Sequence, residues 1–284
     1  MKENVPSRTA LRVALRRAGH QILDEAPRVL DDPLAVRIVG PAVEEIYGDP
    51  QRHNSRIGRT FRAFTVARSR FAEDQLAETI AGGAAQYLIL GAGLDTSAYR
   101  GICTTAEIRV FEVDHPATQD WKQMRLHEAG IRVPGNVRHV AVDFELDDLA
   151  ERLAASGFHE DERTLVSWLG VVPYLTRAAA AGTLRFLGGF PAGSGVVFDY
   201  AVAKSALGFF ERVALEALAR RVAKAGEPFR LYFEPEELDE FLRERGFSKV
   251  EQLGSQEINE RYFAARRDGL KVAGSAGRIV AAWI

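Results

Sequence analysis

The apolar positions of the chain change their spacing twice, and each change marks a different kind of element. Up to about residue 85 the period is helical. In "TALRVALRRAGHQIL", Leu11, Leu15 and Ala18 share one face while Arg12, Arg16 and His20 lie on another. "RFAEDQLAETIAGG" predicts a further helix, stopped by Gly82-Gly83, and "LDDPLA" and "GDPQRHNSRIG" predict turns. From "QYLILG" onward, short apolar runs alternate with helical stretches. The runs predict strands over 86–90, 107–113, 137–142, 163–169 and 194–200; the intervals predict helices over about 116–129, 146–156 and 177–188. That alternation is the mark of βαβ units, and so of a parallel, doubly wound sheet covered by helices on both faces. After residue 201, "KSALGFFERVALEALARRVAKAG" predicts a long amphipathic helix. "EPEELDEFLRERGF" predicts another, opened by Pro235 and ended by Gly246, and "SKVEQLG" and "GRIVAAWI" predict two late strands. The whole reads as a single α/β domain over 1–284: a helical N-terminal cap or lid over 1–85, and a core over 86–284 with a helical insertion at about 203–246.

Composition narrows the options only a little. The 284 residues are 46% hydrophobic and 27% charged, with a formal net charge of −2. A near-neutral chain lacks the general basic face that a nucleic-acid or anionic-lipid partner asks for. Cys103 is the only cysteine, so neither an intramolecular disulfide nor a cysteine-based metal site can form; a reducing cytoplasm suits it, and no metal is expected. The N-terminal stretch has no apolar core run of the secretory kind, and no stretch approaches the apolar length of a membrane span.

The candidate chemistry starts at "LILGAGLDTSAYR", residues 88–100. Gly91, Ala92 and Gly93 follow the first predicted strand directly, at the strand end where open α/β sheets bind ligands. Glycine there allows positive φ and close approach of the backbone to a ligand. Glu112, in "VFEVDHP", lies roughly 20 residues on, the spacing at which an acid meets ribose hydroxyls. A dinucleotide fingerprint calls for a third glycine, to seat pyrophosphate at a helix N-terminus. Thr96 occupies that position, and Asp95 before it would repel phosphate while suiting a ligand with an ammonium group. S-adenosylmethionine carries ribose, adenine and ammonium but no phosphate. Asp143, closing the third predicted strand, could accept from an adenine amino group while Phe144 covers the ring. Each of these features also has a plainer structural reading: a tight turn at the glycines, an exposed acid at a strand end, a helix N-cap at Asp95 or Asp143.

Taken together, "VARSRFAED", "LILGAGLDTSAYR", "VFEVDHPATQDWKQ", "AVDFE" and "SWLGVVPYLT" resemble the leucine carboxyl methyltransferase family, in particular its bacterial S-adenosylmethionine-dependent O-methyltransferase branch, which includes polyketide-tailoring enzymes. The resemblance spans most of the chain, from "DPLA" in the cap to "YFEPEELDEFLRERGF". It implies a class I methyltransferase (Rossmann-like) fold, a seven-stranded sheet with the last strand antiparallel. It also implies S-adenosyl-L-methionine as cofactor, S-adenosyl-L-homocysteine as product and a small-molecule methyl acceptor, a setting of the secondary-metabolism type. By the same resemblance, Arg68 holds the methionine carboxylate, Gly91 underlies the cofactor, Asp114 sits at the ribose and Asp143 and Phe144 contact adenine. Glu112 and Asp114 therefore compete for the ribose, and strand alternation points them the same way. The pattern departs at Leu169, where family members often carry Glu before the glycine. That weakens transfer of the eukaryotic enzymes' substrate, the C-terminal leucine of a phosphatase.

Methyl transfer from a sulfonium needs alignment and exclusion of water more than it needs a catalytic triad. A carboxylate acceptor is already ionised at neutral pH; a phenol, with its pKa near 10, would profit from a base. His20 is the one candidate base, and Tyr174 and Tyr200 are candidate linings of an acceptor pocket. A nicotinamide-dependent oxidoreductase, a non-catalytic protein retaining the fold and a nucleic-acid methyltransferase are the alternatives.

Overall fold

A computed structural model describes residues 7–143, 146–209, 212, 213, 215, 216, 219, 220 and 228–284. Strands β1 (Gln86–Leu90), β2 (Arg109–Asp114), β3 (Val137–Ala141), β4 (Thr164–Trp168) and β5 (Gly195–Val202) pair in parallel in the order β3-β2-β1-β4-β5. The sheet continues through β8 (Gly277–Trp283) to β7 (Lys249–Leu253), and β8 runs antiparallel to both of its neighbours. This is the expected doubly wound sheet with its last strand reversed. An eighth, two-residue strand, β6 (Tyr232–Phe233), adds to the end of β5 beside Ala201 and Val202.

Alternation along β1 explains how one short run serves two cores. Tyr87 and Ile89 pack with Val110, Leu165, Val197 and Ile279 on one face. Leu88 and Leu90 pack with Phe111, Val166, Phe198 and Val280 on the other. Strands buried on both faces read as continuous apolar runs, as "YLIL" does. The N-terminal helices close the first face: α1 (Arg8–Leu23), α2 (Pro33–Ile38), α3 (Glu44–Gly48), α4 (Pro50–Asn54) and the long α5 (Arg56–Ala81). Ala14, Leu15, Ile38, Val66 and Phe71 from these helices belong to the same core as Tyr87 and Ile89. The chain then supplies α6 (Ile102–Thr105), α7 (Pro116–Glu128), α8 (Leu149–Ala155) and α9 (Arg177–Leu187), followed near the end by helices Pro235–Arg243 and Ser255–Tyr262.

Two segments expected as turns are helical. "LDDPLA" opens α2, because the Asp32 side chain accepts from Ala35 N and Pro33 stands at the first helical position. "GDPQRHNSRIG" repeats the device: Asp49 caps α4 ahead of Pro50, and the Ser55 hydroxyl accepts from Gly58 N to start α5. The segment expected as a long helix over 204–226 opens with the 3-10 turn Lys204–Ala206; Phe209, Arg212, Val213, Leu215, Glu216, Ala219 and Arg220 are helical, and the other residues from 210 to 226 lie outside the described residues. No helix among the described residues is long and apolar enough to cross a membrane.

Candidate functional site

Strand order reverses between β1 and β4, and a crevice opens at their carboxyl ends in sheets of this kind. The two connections leaving those strands meet there. Gly91 takes φ +69°, and a Cβ placed on it would lie 2.4 Å from Val171 Cγ2. Gly170, before Val171, takes φ +72°, and its Cβ would lie 2.8 Å from Arg68 Nη2. Positive φ favours glycine at both positions, and a side chain at Gly170 would press on the Arg68 guanidinium.

The glycine loop is held from three sides. Gly91 N and Ala92 N both donate to Val113 O, at 2.8 and 3.0 Å. Gly93 N donates to Asp114 Oδ2 at 2.6 Å, and Asp114 Oδ1 accepts from His115 N at 2.7 Å. Burial raises the Asp114 carboxyl above its ordinary value, opposed by these two backbone donors and by Lys122. Each Asp114 oxygen keeps acceptor capacity beyond the one bond it makes. From above, α1 bears on the loop: Ala10 Cβ would lie 3.0 Å from a Cβ on Gly93.

Asp95 has a partner that the sequence reading did not name. Arg17 of α1 reaches Asp95 Oδ2 at 2.7 Å and also donates to Leu94 O. Asp95 Oδ1 accepts from Ser97 N at 2.7 Å. Burial acts to raise the Asp95 carboxyl, but Arg17, Lys122 and the Ser97 bonds outweigh it and hold it at about 2. Its charge is therefore already compensated, and it is not the free anion that an incoming ammonium would need. Thr96, in the position of the missing third glycine, donates its hydroxyl to Asp32 at 2.7 Å. Asp32 is in turn paired with Arg100 at 3.1 Å and lies 3.5 Å from Arg17. The loop is thus clamped to the cap by interlocked charges.

Glu112 and Asp114 do point to the same side of β2, but they do different work. Glu112 is fully buried: Oε1 meets Lys122 Nζ at 2.7 Å, and Oε2 accepts from the Tyr99 hydroxyl and faces His139 Nε2 at 3.3 Å. Burial would raise its pKa, yet Lys122 and the His139 and Tyr99 bonds bring it below the ordinary glutamate value. With both oxygens spent on Lys122, Tyr99 and His139 inside the core, Glu112 is built into the fold; it pins Tyr99, just beyond the glycine loop, to β2 and α7. Of the two competing acids, only Asp114 is placed at the crevice.

Arg68 projects from α5 to the exit of β4. Its Nη1 donates to Asp199 Oδ2 at 2.7 Å, while Nε is buried without a hydrogen-bond partner among the described residues. An unsatisfied buried donor costs about 1–3 kcal/mol, more when charged, so this nitrogen is suited to an acceptor from outside the chain. Asp143 lies two residues past the end of β3, half-buried, with His115 Nε2 at 3.6 Å from its Oδ2; Phe144 lies outside the described residues.

The acceptor-side candidates scatter. His20 is 0% exposed inside the cap: Nδ1 bonds Asp24 at 2.8 Å and Nε2 accepts from Leu30 N at 3.4 Å. With both ring nitrogens committed it has no free one for a substrate proton, which corrects its placement as a candidate base. Tyr200 is also buried and spends its hydroxyl on Gln252; burial, against an opposing Arg278, raises it well above the usual phenol range. Tyr200 is a packing residue beside Phe233, as its burial dictates. Tyr174 alone stays half-exposed, with its ring 5.3 Å from Phe229.

Comparison with known proteins identifies the family. The family profile "Leucine carboxyl methyltransferase" matches residues 10–188. YktD of Bacillus subtilis, provisionally named an S-adenosyl-L-methionine-dependent methyltransferase, is 32% identical over 294 residues, covering 95% of each chain. A Saccharopolyspora erythraea protein of the same provisional name is 34% identical over 206 residues, 70% of this chain and 69% of its own. Among solved structures, a DUF574 family protein from Streptomyces avermitilis superposes with TM-score 0.55 at 18% identity, over 94% of this chain and 96% of its own. The chain belongs to the leucine carboxyl methyltransferase family, and it is an enzyme of the methyltransferase class.

Proposed function

We propose that the protein moves a methyl group onto an oxygen of a small molecule, either a carboxylate or a phenolic hydroxyl, in a pathway of the secondary-metabolism type. The methyl donor is S-adenosyl-L-methionine, whose sulfonium supplies an electrophilic methyl group when bound. The observation that carries the reading is Arg68: a buried guanidinium with an unpartnered Nε, set between the glycine turns at the reversal of strand order. A planar fork of this kind is matched to a carboxylate.

The remaining roles follow from position. Gly91, Ala92 and Gly93 offer a close backbone floor. Asp114 offers its remaining acceptor capacity to ribose hydroxyls, and Asp143 would meet adenine, the contact that the family resemblance implies for it and for Phe144. The nicotinamide alternative fits poorly, because Asp114 and Asp143 put acids beside the crevice and Thr96, its hydroxyl spent on Asp32, stands where a third glycine would seat a pyrophosphate. The cap covers the glycine loop through α1 and would hold acceptor specificity while excluding water. A carboxylate acceptor needs no base from the chain, which suits a site in which His20 and Tyr200 are both committed elsewhere.

The experiment is an acceptor panel of carboxylic acids, phenols and amines incubated with the methyl donor and read by mass spectrometry. Products are then treated with mild alkali, which cleaves methyl esters and spares aryl ethers. An ester or an ether supports the proposal; methylation confined to amines refutes it.

A further inference from the structure

We infer that Asp199 is the positioning residue that aims Arg68 at the donor's carboxylate, an inference that rests on the reading of Arg68 given above. Asp199 stands in β5, an otherwise apolar strand buried along its whole length. Its two oxygens are divided between two other elements. Oδ2 accepts from Arg68 Nη1 of α5 at 2.7 Å, and Oδ1 accepts from Gly170 N at the exit of β4 at 2.6 Å. The side chains of Arg68 and Asp199 are 9% and 8% exposed, so water does little to loosen the arrangement.

This division has a directional consequence. An arginine side chain in a buried crevice could present any edge of its guanidinium. Engaging Nη1 with Asp199 leaves the edge formed by Nε and Nη2 for a ligand, and Nε is the nitrogen that lacks a partner among the described residues. Two parallel N–H groups on one edge are what a carboxylate accepts in bidentate fashion. Gly170 completes the device: its missing side chain gives Nη2 room, and its N–H ties the same carboxylate that orients Nη1. One acid thereby fixes the arginine and the turn after β4 in a common frame.

The test compares two probes that differ at the donor's amino-acid end. S-adenosylhomocysteine carries the carboxylate; 5′-methylthioadenosine keeps adenine and ribose and lacks it. Both are titrated calorimetrically into the wild type, Asp199→Asn, Arg68→Ala and the double variant. We expect Asp199→Asn to weaken S-adenosylhomocysteine at least tenfold and to leave 5′-methylthioadenosine within about twofold. The double variant should bind S-adenosylhomocysteine no more weakly than Arg68→Ala alone, because the two residues act as one unit. Equal weakening of both probes, or additive losses in the double variant, would show a merely structural Asp199 and overturn the inference. Unchanged S-adenosylhomocysteine binding in Asp199→Asn would overturn it too. If Arg68→Ala itself loses nothing, the reading of Arg68 fails first, and the pattern identifies that failure separately. Should Asp199→Asn not fold, Asp199→Glu, which keeps the charge and shifts the carboxylate by one methylene, takes its place with the same outcomes.

Discussion

Arg17 and Asp95 meet at 2.7 Å across 78 residues of sequence, joining the first helix of the cap to the loop that floors the cofactor crevice. Arg17 is 2% exposed and also donates to Leu94 O, so it grips the loop at two points. Arg17→Met keeps the apolar stem and removes the grip. Asp95 is left without its cation, and a loss of about 1–3 kcal/mol is expected. Differential scanning calorimetry should show it as a fall of several degrees in Tm, and limited proteolysis should cut α1 ahead of the sheet. An unchanged Tm would mean that the clamp contributes nothing.

The same pair fixes an acid limb of stability. The folded Asp95 is held at about 2 against an ordinary 3.8. A depressed carboxyl stabilises the fold above its unfolded value, and that stabilisation disappears as pH falls from about 4 to about 2, as the folded group takes up its proton. The difference corresponds to roughly 2 kcal/mol. Urea unfolding at fixed pH values through this window should show stability falling as pH falls, and Arg17→Met should flatten that slope.

Glu112 and Asp114, two residues apart on β2, should separate cleanly by substitution. Glu112→Gln leaves Lys122 buried without its counter-ion and should cost about 3–5 kcal/mol. Asp114→Ala should change stability far less and weaken S-adenosylhomocysteine at least tenfold. Denaturant titration and calorimetry on the two variants would expose an error if the effects were reversed.

Gly91→Ala should abolish cofactor binding in a protein that still folds. The added Cβ meets Val171 Cγ2 at 2.4 Å on a backbone of positive φ, so the glycine loop or Val171 must shift. Circular dichroism should retain the helical content while calorimetric binding disappears; retained affinity would show that the contact can relax without consequence.

Much of this architecture was legible because it is local. β1 occupies the five residues predicted, since an apolar run bounded by Gly83 and Gly91 leaves little choice. Gly91 was named from motif and position, and Arg68 and Asp114 from the family resemblance; Asp114 bonds the glycine loop and Arg68 lies against Gly170 after β4. What was hidden depends on long-range partners. The role of Glu112 could not be separated from that of Asp114 without knowing that Lys122 folds back onto it. Asp95 reads as a free anion in the sequence because its partner, Arg17, lies 78 residues upstream in α1. Asp199 was passed over inside "VVFDYAV", although a lone acid in a strand buried throughout was a signal that it must have partners. α2 and α4 were read as turns from Asp-Pro pairs that also serve as helix starts; for α2, what decides between those readings is the core that Ile38 reaches.

The most direct test of the account is calorimetric titration of S-adenosylhomocysteine into the wild type and Arg68→Ala, with NAD as the control ligand. The account predicts binding to the wild type, no binding of NAD, and a roughly 30- to 100-fold loss in Arg68→Ala, the equivalent of about 2–3 kcal/mol for a charge-assisted bond. Undiminished affinity in Arg68→Ala, or NAD binding in preference to S-adenosylhomocysteine, would contradict it.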